Sequence, residues 1–283
     1  MNYSKQIQDI AVRLFTENKI DVFVGYRKNV GDDNQTPFIF KNPALCDKLV
    51  FTEKSTHNLT NYLTNETTKS KKVGLVVKGC DSRSLNLLLT EGQVKRDNLY
   101  IIGVSCDGCV DEKNEKEARC IACVMQSPVI YNEMLGIEKE KKTYTIDADL
   151  LKLKHMSLTE RADFFTEMFS NCIRCNACRQ SCPLCYCDKC VIDQDSSLYH
   201  NGANTTSNAG MALMTWYLHL AGRCVDCRNC ERACPQNLPL HLLHKQNEMV
   251  IYENFQNHQA GMYEKDRGAF YKYNLSDPDD FIM

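Results

Sequence analysis

The chain has 283 residues, 43% of them apolar, and a formal net charge of −2 from 34 Lys and Arg against 36 Asp and Glu. That length suits two domains of ordinary size with a core each, and the near-neutral balance points away from nucleic acid as a partner. No run of about 18 apolar residues occurs, so no transmembrane segment is expected.

The start, Met1-Asn2-Tyr3-Ser4-Lys5, leads into an amphipathic pattern and not the apolar core of a signal peptide, so a cytoplasmic protein is expected. Ile7, Ile10, Ala11, Leu14 and Phe15 recur at helical spacing. The stretches 21–26 and 37–40 are short β-branched or aromatic runs and read as strands; 58–63 reads as helical. The run 72–78 suits a buried strand, Gly79-Cys80-Asp81-Ser82 a turn, 84–90 a helix and 99–105 a second buried strand. A strand–helix–strand crossover makes its strands parallel, which places Cys80 and Cys106 just beyond their carboxyl ends, the rim where open α/β sheets bind ligands. Residues 112–119 and 138–142 are charged surface. Ser157-Leu-Thr-Glu160 is a capping box that opens a helix with Phe164, Phe165, Met168 and Phe169 on its apolar face. The stretch 195–210 is polar and reads as a loop, 211–220 as a buried helix, and Pro239 as the first turn of a helix through 251.

The fold expected is an α/β domain with a small parallel sheet over 1–155, then an α-helical two-cluster ferredoxin domain over 156–252. A C-terminal docking tail over 253–283 completes the chain. The second assignment rests on cysteine spacing. Cys172, Cys175, Cys178 and Cys182 form a C-x2-C-x2-C-x3-C-P run ending at Pro183, and Cys224, Cys227, Cys230 and Cys234 repeat it before Pro235. This is the bacterial ferredoxin run for [4Fe–4S] clusters. Zinc sites more often pair two short Cys motifs. In known two-cluster ferredoxins the fourth Cys of each run ligates the other cluster. Carried over, one cluster takes Cys172, Cys175, Cys178 and Cys234, and the other takes Cys224, Cys227, Cys230 and Cys182.

Of 17 cysteines, nine remain. A third cluster is expected in the first domain on Cys80, Cys106, Cys120 and Cys123, with Cys109 competing for any one of these places. A fourth site would use Cys185, Cys187 and Cys190, with Cys46 as the spare thiol. The alternatives are small buried hydrophobes or zinc. No P-loop, G-x-G-x-x-G or Ser/His/Asp set appears. Gly79 and Arg83 are the candidate contacts for the phosphate of a flavin such as FAD.

The segments KKVGLVVKGCDSR, YIIGVSCDG, CIAC, CIRCNACRQSCPLCYCDKC and AGRCVDCRNCERACP resemble the beta-subunit family of formate dehydrogenases and coenzyme F-420-reducing hydrogenases. The similarity is greatest to short dicluster members associated with heterodisulfide-reductase-like complexes of anaerobes. It implies an electron-transfer subunit of a multisubunit oxidoreductase, with catalytic and electron-transfer subunits as partners and no catalytic residue of its own. Larger family members bind a flavin and exchange electrons with a deazaflavin. The two rival readings are therefore a flavin-bearing subunit acting on a hydride carrier, deazaflavin or NAD(P)H, and a zinc-stabilised interaction module.

Overall fold

The computed structural model describes residues 1–31, 33–146, 148–194, 203–255, 258–265, 268–271 and 275. The chain divides into two compact units, Met1–Tyr144 with Ala260–Arg267, and Thr145–Gln259 with Gly268–Met283. The division falls after Tyr144 rather than near 155, because the short helix at Ala148–His155 packs its Leu150 and Leu153 with Leu242 and Met249 of the second unit.

The first unit is built on a six-stranded mixed sheet. Its elements are α1 (Ser4–Thr16), β1 (Val22–Lys28), β2 (Gln35–Phe40), β3 (Leu49–Val50), β4 (Val73–Val77), α2 (Gly79–Thr90), β5 (Leu99–Val104), α3 (Ala118–Ile121) and β6 (Glu133–Leu135). The strand order is β2-β1-β4-β5-β6, with β3 also paired to β1. β1, β4, β5 and β6 run parallel, while β2 and β3 lie antiparallel to β1. Every residue of β4 is buried, as the unbroken apolar run Val-Gly-Leu-Val-Val requires of a central parallel strand. Ile7, Ala11 and Leu14 of α1 join Phe23, Phe40, Phe51, Leu75, Ile101 and Ile102 in one core. Each of the larger of these side chains, taken from water, contributes about 1.5–3 kcal/mol. The helix expected over 58–63 is a single 3-10 turn, Leu59–Tyr62.

One charged cluster sits inside this core. Lys78, fully buried, bonds Asp81 Oδ2 at 2.9 Å, Tyr26 Oη at 2.6 Å and the His57 carbonyl at 2.9 Å. Asp81 also accepts from the Lys78 backbone N–H at 3.0 Å, closing a capping box at the start of α2. Burial opposes the charge on Lys78, but the Asp81 carboxylate and its other polar neighbours outweigh it and keep the ammonium protonated, its pKa well above the usual value.

In the second unit the described elements are helices: α4 (Ala148–His155), α5 (Leu158–Ser170), α6 (Ala177–Ser181), α7 (Thr206–His219), α8 (Asn229–Arg232) and α9 (His241–Asn254). The capping box at the head of α5 is formed, with Ser157 N–H donating to Glu160 at 2.8 Å and Glu160 N–H to Ser157 Oγ at 3.3 Å. α5 packs on α7, where Gly210 leaves room for the Phe169 ring. α7 starts earlier than the apolar run suggests. Thr205 Oγ1 accepts from Asn208 N–H at 3.2 Å, so the polar stretch ahead of Met211 is a helix start and not a loop. The rest of the expected loop, 195–202, lies outside the described residues. So do 256–257, 266–267, 272–274 and 276–283 of the expected tail; its start at 253–254 continues α9, and 260–265 belongs to the first unit, where Arg83 Nε donates to the Ala260 carbonyl at 2.9 Å.

Candidate metal centres

Two turns of the same build open the cysteine runs. In the first, Arg174 and Asn176 are left-handed, with φ of 54° and 59°. In the second, Asp226 and Arg228 are left-handed, with φ of 56° and 50°. All four are non-glycine residues held in this region at some cost in strain, and two of them turn backbone N–H groups onto thiols. Arg174 N–H donates to Cys172 Sγ at 3.4 Å, and Asp226 N–H to Cys224 Sγ at 3.5 Å. A concavity of N–H dipoles of this kind favours negative charge, and a metal-bound thiolate carries it.

The runs cross over. Cys172, Cys175 and Cys178 from the first run and Cys234 from the second wall one cavity of about 530 Å³, its open mouth included. The Cys178 thiol is pushed up to about 12, first by burial and then by the charges of Cys172, Cys175 and Cys234. Cys182 from the first run lies instead with the second set. Burial first pushes its thiol up, followed by the charge of Cys227. Cys224 and Cys230 are likewise pushed well above the thiol range, by burial first and with Cys227 acting on both. The two sets are neighbours. Helix α6, which carries Cys178, packs on α8, which carries Cys230, and Asn229 Nδ2 donates to the Ser181 carbonyl at 3.2 Å between them. Cys175 is exposed, whereas Cys227 is buried and Cys182, Cys224 and Cys230 are half-buried.

Trp216 of α7 lines the same cavity, and its buried indole N–H finds no acceptor among the described residues. An orphaned donor beside four thiols is a place for a cluster sulfur to accept a hydrogen bond. The four thiols surround a space and do not converge on a point. Among the described residues no three His, Cys, Asp or Glu side chains are disposed around a single ion. Thiolates on one zinc would stand about 3.8 Å apart, given bonds of about 2.3 Å. Four cysteine thiols around one cavity are the donor set that a cubane cluster would use. The nearby arginines hold loops: Arg179 pairs with Asp193 at 2.6 Å, Arg174 donates to the Ala203 carbonyl at 2.7 Å, and Arg223 lies over the Tyr186 ring.

Cys185, Cys187 and Cys190 stay together, and the charges of Cys190 and Cys187 act on the Cys185 thiol, which burial first pushes up to about 11. Cys46 is not grouped with them. It is fully buried in the apolar core of the first unit, with its Sγ 3.9 Å from the Asn42 carbonyl and its thiol pushed up to about 11 by burial.

In the first unit the thiols gather at the carboxyl ends of β4 and β5. Cys80 begins α2, Cys106 follows β5, and Cys120 sits on α3. Cys109, the competitor from sequence, is the innermost at 1% exposure. Hydrogen bonds from Cys106 and then Cys120 hold its thiol well below the usual range. Cys80 is pushed up, by burial first and then by Asp81. Cys123 donates to the Met125 carbonyl at 3.3 Å.

The segment Gly79–Arg83, expected as a turn, is the first turn of α2 and does not fit a flavin phosphate. The Met125 carbonyl closes over Gly79 so tightly that a Cβ there would lie 2.0 Å from its oxygen. The Asp81 carboxylate occupies the head of α2, where a phosphate would need N–H groups, and Arg83 is turned to Ala260.

No protein-family model matches the chain. Among curated proteins it is similar to the F420-dependent formate dehydrogenase subunit beta of Methanocaldococcus jannaschii, with 33% identity over 86 residues. The similar stretch covers 29% of this chain and 21% of that subunit, so the match spans about a fifth of the relative. No helix among the described residues is long and apolar enough to cross a membrane.

Proposed function

We propose that this chain is an iron–sulfur electron-transfer subunit of an anaerobic multisubunit oxidoreductase, passing single electrons between partner subunits. The partners would be those of a formate dehydrogenase, hydrogenase or heterodisulfide-reductase-like complex, and the setting a reducing cytoplasm, which keeps thiols available as ligands. The observation that carries the reading is the cavity walled by Cys172, Cys175 and Cys178 of one run and Cys234 of the other. It supports two crossed [4Fe–4S] sites, the second held by Cys224, Cys227, Cys230 and Cys182. The thiols at the rim of the sheet support a third. Cys185, Cys187 and Cys190 lack a fourth thiol, since Cys46 lies in the apolar core of the first unit, and no cluster is assigned there. The similarity to a formate dehydrogenase beta subunit supports the oxidoreductase class.

A bound cubane cluster supplies reversible uptake of one electron at a time. The chain's own groups do the rest. The left-handed turns hold N–H groups against Cys172 and Cys224 and favour the added negative charge. Burial around Cys227 excludes water from the inner set, and the exposed Cys175 leaves the outer set open to a partner's surface. The packing of α6 on α8 keeps the two sets adjacent.

The test uses the full chain, reconstituted with iron and sulfide without air. It is offered formate, hydrogen, NADH and reduced deazaflavin in turn, and cluster reduction is followed by electron paramagnetic resonance. A relay stays oxidised with all four until a catalytic subunit is added. Direct reduction by NADH or the reduced deazaflavin would make the chain an enzyme with its own hydride acceptor.

A further inference from the structure

We infer that Cys109, and not Cys123, completes the site in the first unit, so that Cys80, Cys106, Cys109 and Cys120 are its four ligands. The inference rests on the proposal that these thiols hold a cluster at all.

Its ground is a likeness of local build between three turns. Cys106-Asp107-Gly108-Cys109 has the same C-x2-C spacing as Cys172–Cys175 and Cys224–Cys227. In each, the third residue has positive φ: 54° at Arg174, 56° at Asp226 and 112° at Gly108. In each, the N–H of that residue turns back onto the first thiol. The distances are 3.4 Å from Arg174 to Cys172, 3.5 Å from Asp226 to Cys224 and 3.4 Å from Gly108 to Cys106. The next N–H continues the pattern, with Cys109 N–H donating to Cys120 Sγ at 3.2 Å. Successive N–H groups aimed at two thiols form an anion-binding nest, a form common at iron–sulfur sites. The Cys106 and Cys120 thiols both lie within hydrogen-bond reach of Cys109. Lys78 and Arg119, two buried cations, act on both Cys80 and Cys109 and offset the negative charge of ligating thiolates.

Cys120-Ile121-Ala122-Cys123 has the same spacing and a different build. Ala122 is right-handed, with φ of −88°, so it does not turn its N–H back as Gly108 does. The Cys123 thiol lies against the Met125 carbonyl at 3.3 Å. The Cys109 thiol likewise lies against the Ser55 carbonyl, at 3.6 Å, so the distinction between the two rests on the turn at Gly108.

The experiment counts iron and acid-labile sulfide in the full chain reconstituted without air. The unmutated chain holds about twelve of each, three cubanes. Cys109→Ser holds about eight, and Cys123→Ser still holds about twelve. About twelve in Cys109→Ser, or about eight in Cys123→Ser, overturns the inference. About eight in the unmutated chain shows, before any substitution, that the underlying reading of this site has failed and the inference with it. Should Cys109→Ser not be recovered folded, the loaded unmutated chain is treated with N-ethylmaleimide and mapped by mass. Cys123 is then modified while Cys80, Cys106, Cys109 and Cys120 are protected. Protection of Cys123 in the loaded chain that vanishes once iron is removed overturns the assignment.

Discussion

The two units hold their cysteines in opposite ways. In the first, the thiols stand on the rim of a sheet whose core is already full: Phe23, Phe40, Phe51, Leu75, Ile101 and Ile102 are fully buried beneath it. In the second, the thiols stand on and between short helices, most of them half-buried. The helices that carry them, α6 and α8, have only five and four residues, while the longer α5, α7 and α9 bury Met168, Leu213, Trp216, Leu243 and Ile251. Helices as short as α6 and α8 do not stand alone in water. The sheet therefore carries its thiols, whereas on the proposed reading α6 and α8 would draw their order from the metal their thiols bind, since binding free energy there would be folding free energy.

Removing iron is the most forceful way to break this contrast. A chelator should abolish hydrogen-exchange protection of amides in α6 and α8 and leave that of β4 and β5 in place. Equal loss in both units would show that the sheet also depends on metal. The next largest effect lies inside the first unit. Lys78→Met leaves Asp81 buried without its cation and should cost about 3–5 kcal/mol in urea unfolding of the metal-free chain. Replacing Asp81 as well should recover part of that loss. Gly79→Ala sets a methyl against the Met125 main chain and should cost about 1–3 kcal/mol, again confined to the first unit. The smallest effect sharpens the account of the cavity. Trp216→Phe removes one N–H donor and should leave the iron content unchanged. It should lower the midpoint potential of the outer cluster by roughly 60 mV, the one-electron equivalent of a hydrogen bond to a charged group at about 1.5 kcal/mol.

What sequence made legible follows from how local each signal is. The run Val73–Val77 and the strand at Leu99–Val104 read correctly because an unbroken apolar run between turn residues has few other uses, whereas the turn expected at Gly79–Ser82 is the first turn of α2, which starts five residues ahead of the expected helix. The cysteine runs read by spacing alone. Thr205 was hidden because a cap is a polar residue among polar residues, and only the hydrogen bond to Asn208 distinguishes it from a loop. The closure of Gly79 depends on the Met125 carbonyl, far along the chain, and no local pattern carries that. Cys46 looked spare because spacing says nothing of burial. Trp216 lies eight residues before Cys224 in an apolar helix and reads as core; its unpaired N–H is a fact of three dimensions. Gly108 was the one sign within reach, a glycine third in a C-x2-C, where the other two turns hold Arg174 and Asp226 in left-handed conformations.

The central claim is that each cluster in the second unit is shared between the two runs. Paramagnetic resonance of the reduced chain tests it most directly, with Cys175→Ser, Cys227→Ser and Cys234→Ala compared side by side. Crossed ligation predicts that Cys234→Ala perturbs the same signal as Cys175→Ser and leaves intact the signal lost in Cys227→Ser. If Cys234→Ala instead perturbs the signal that Cys227→Ser removes, each run holds its own cluster and the account is wrong.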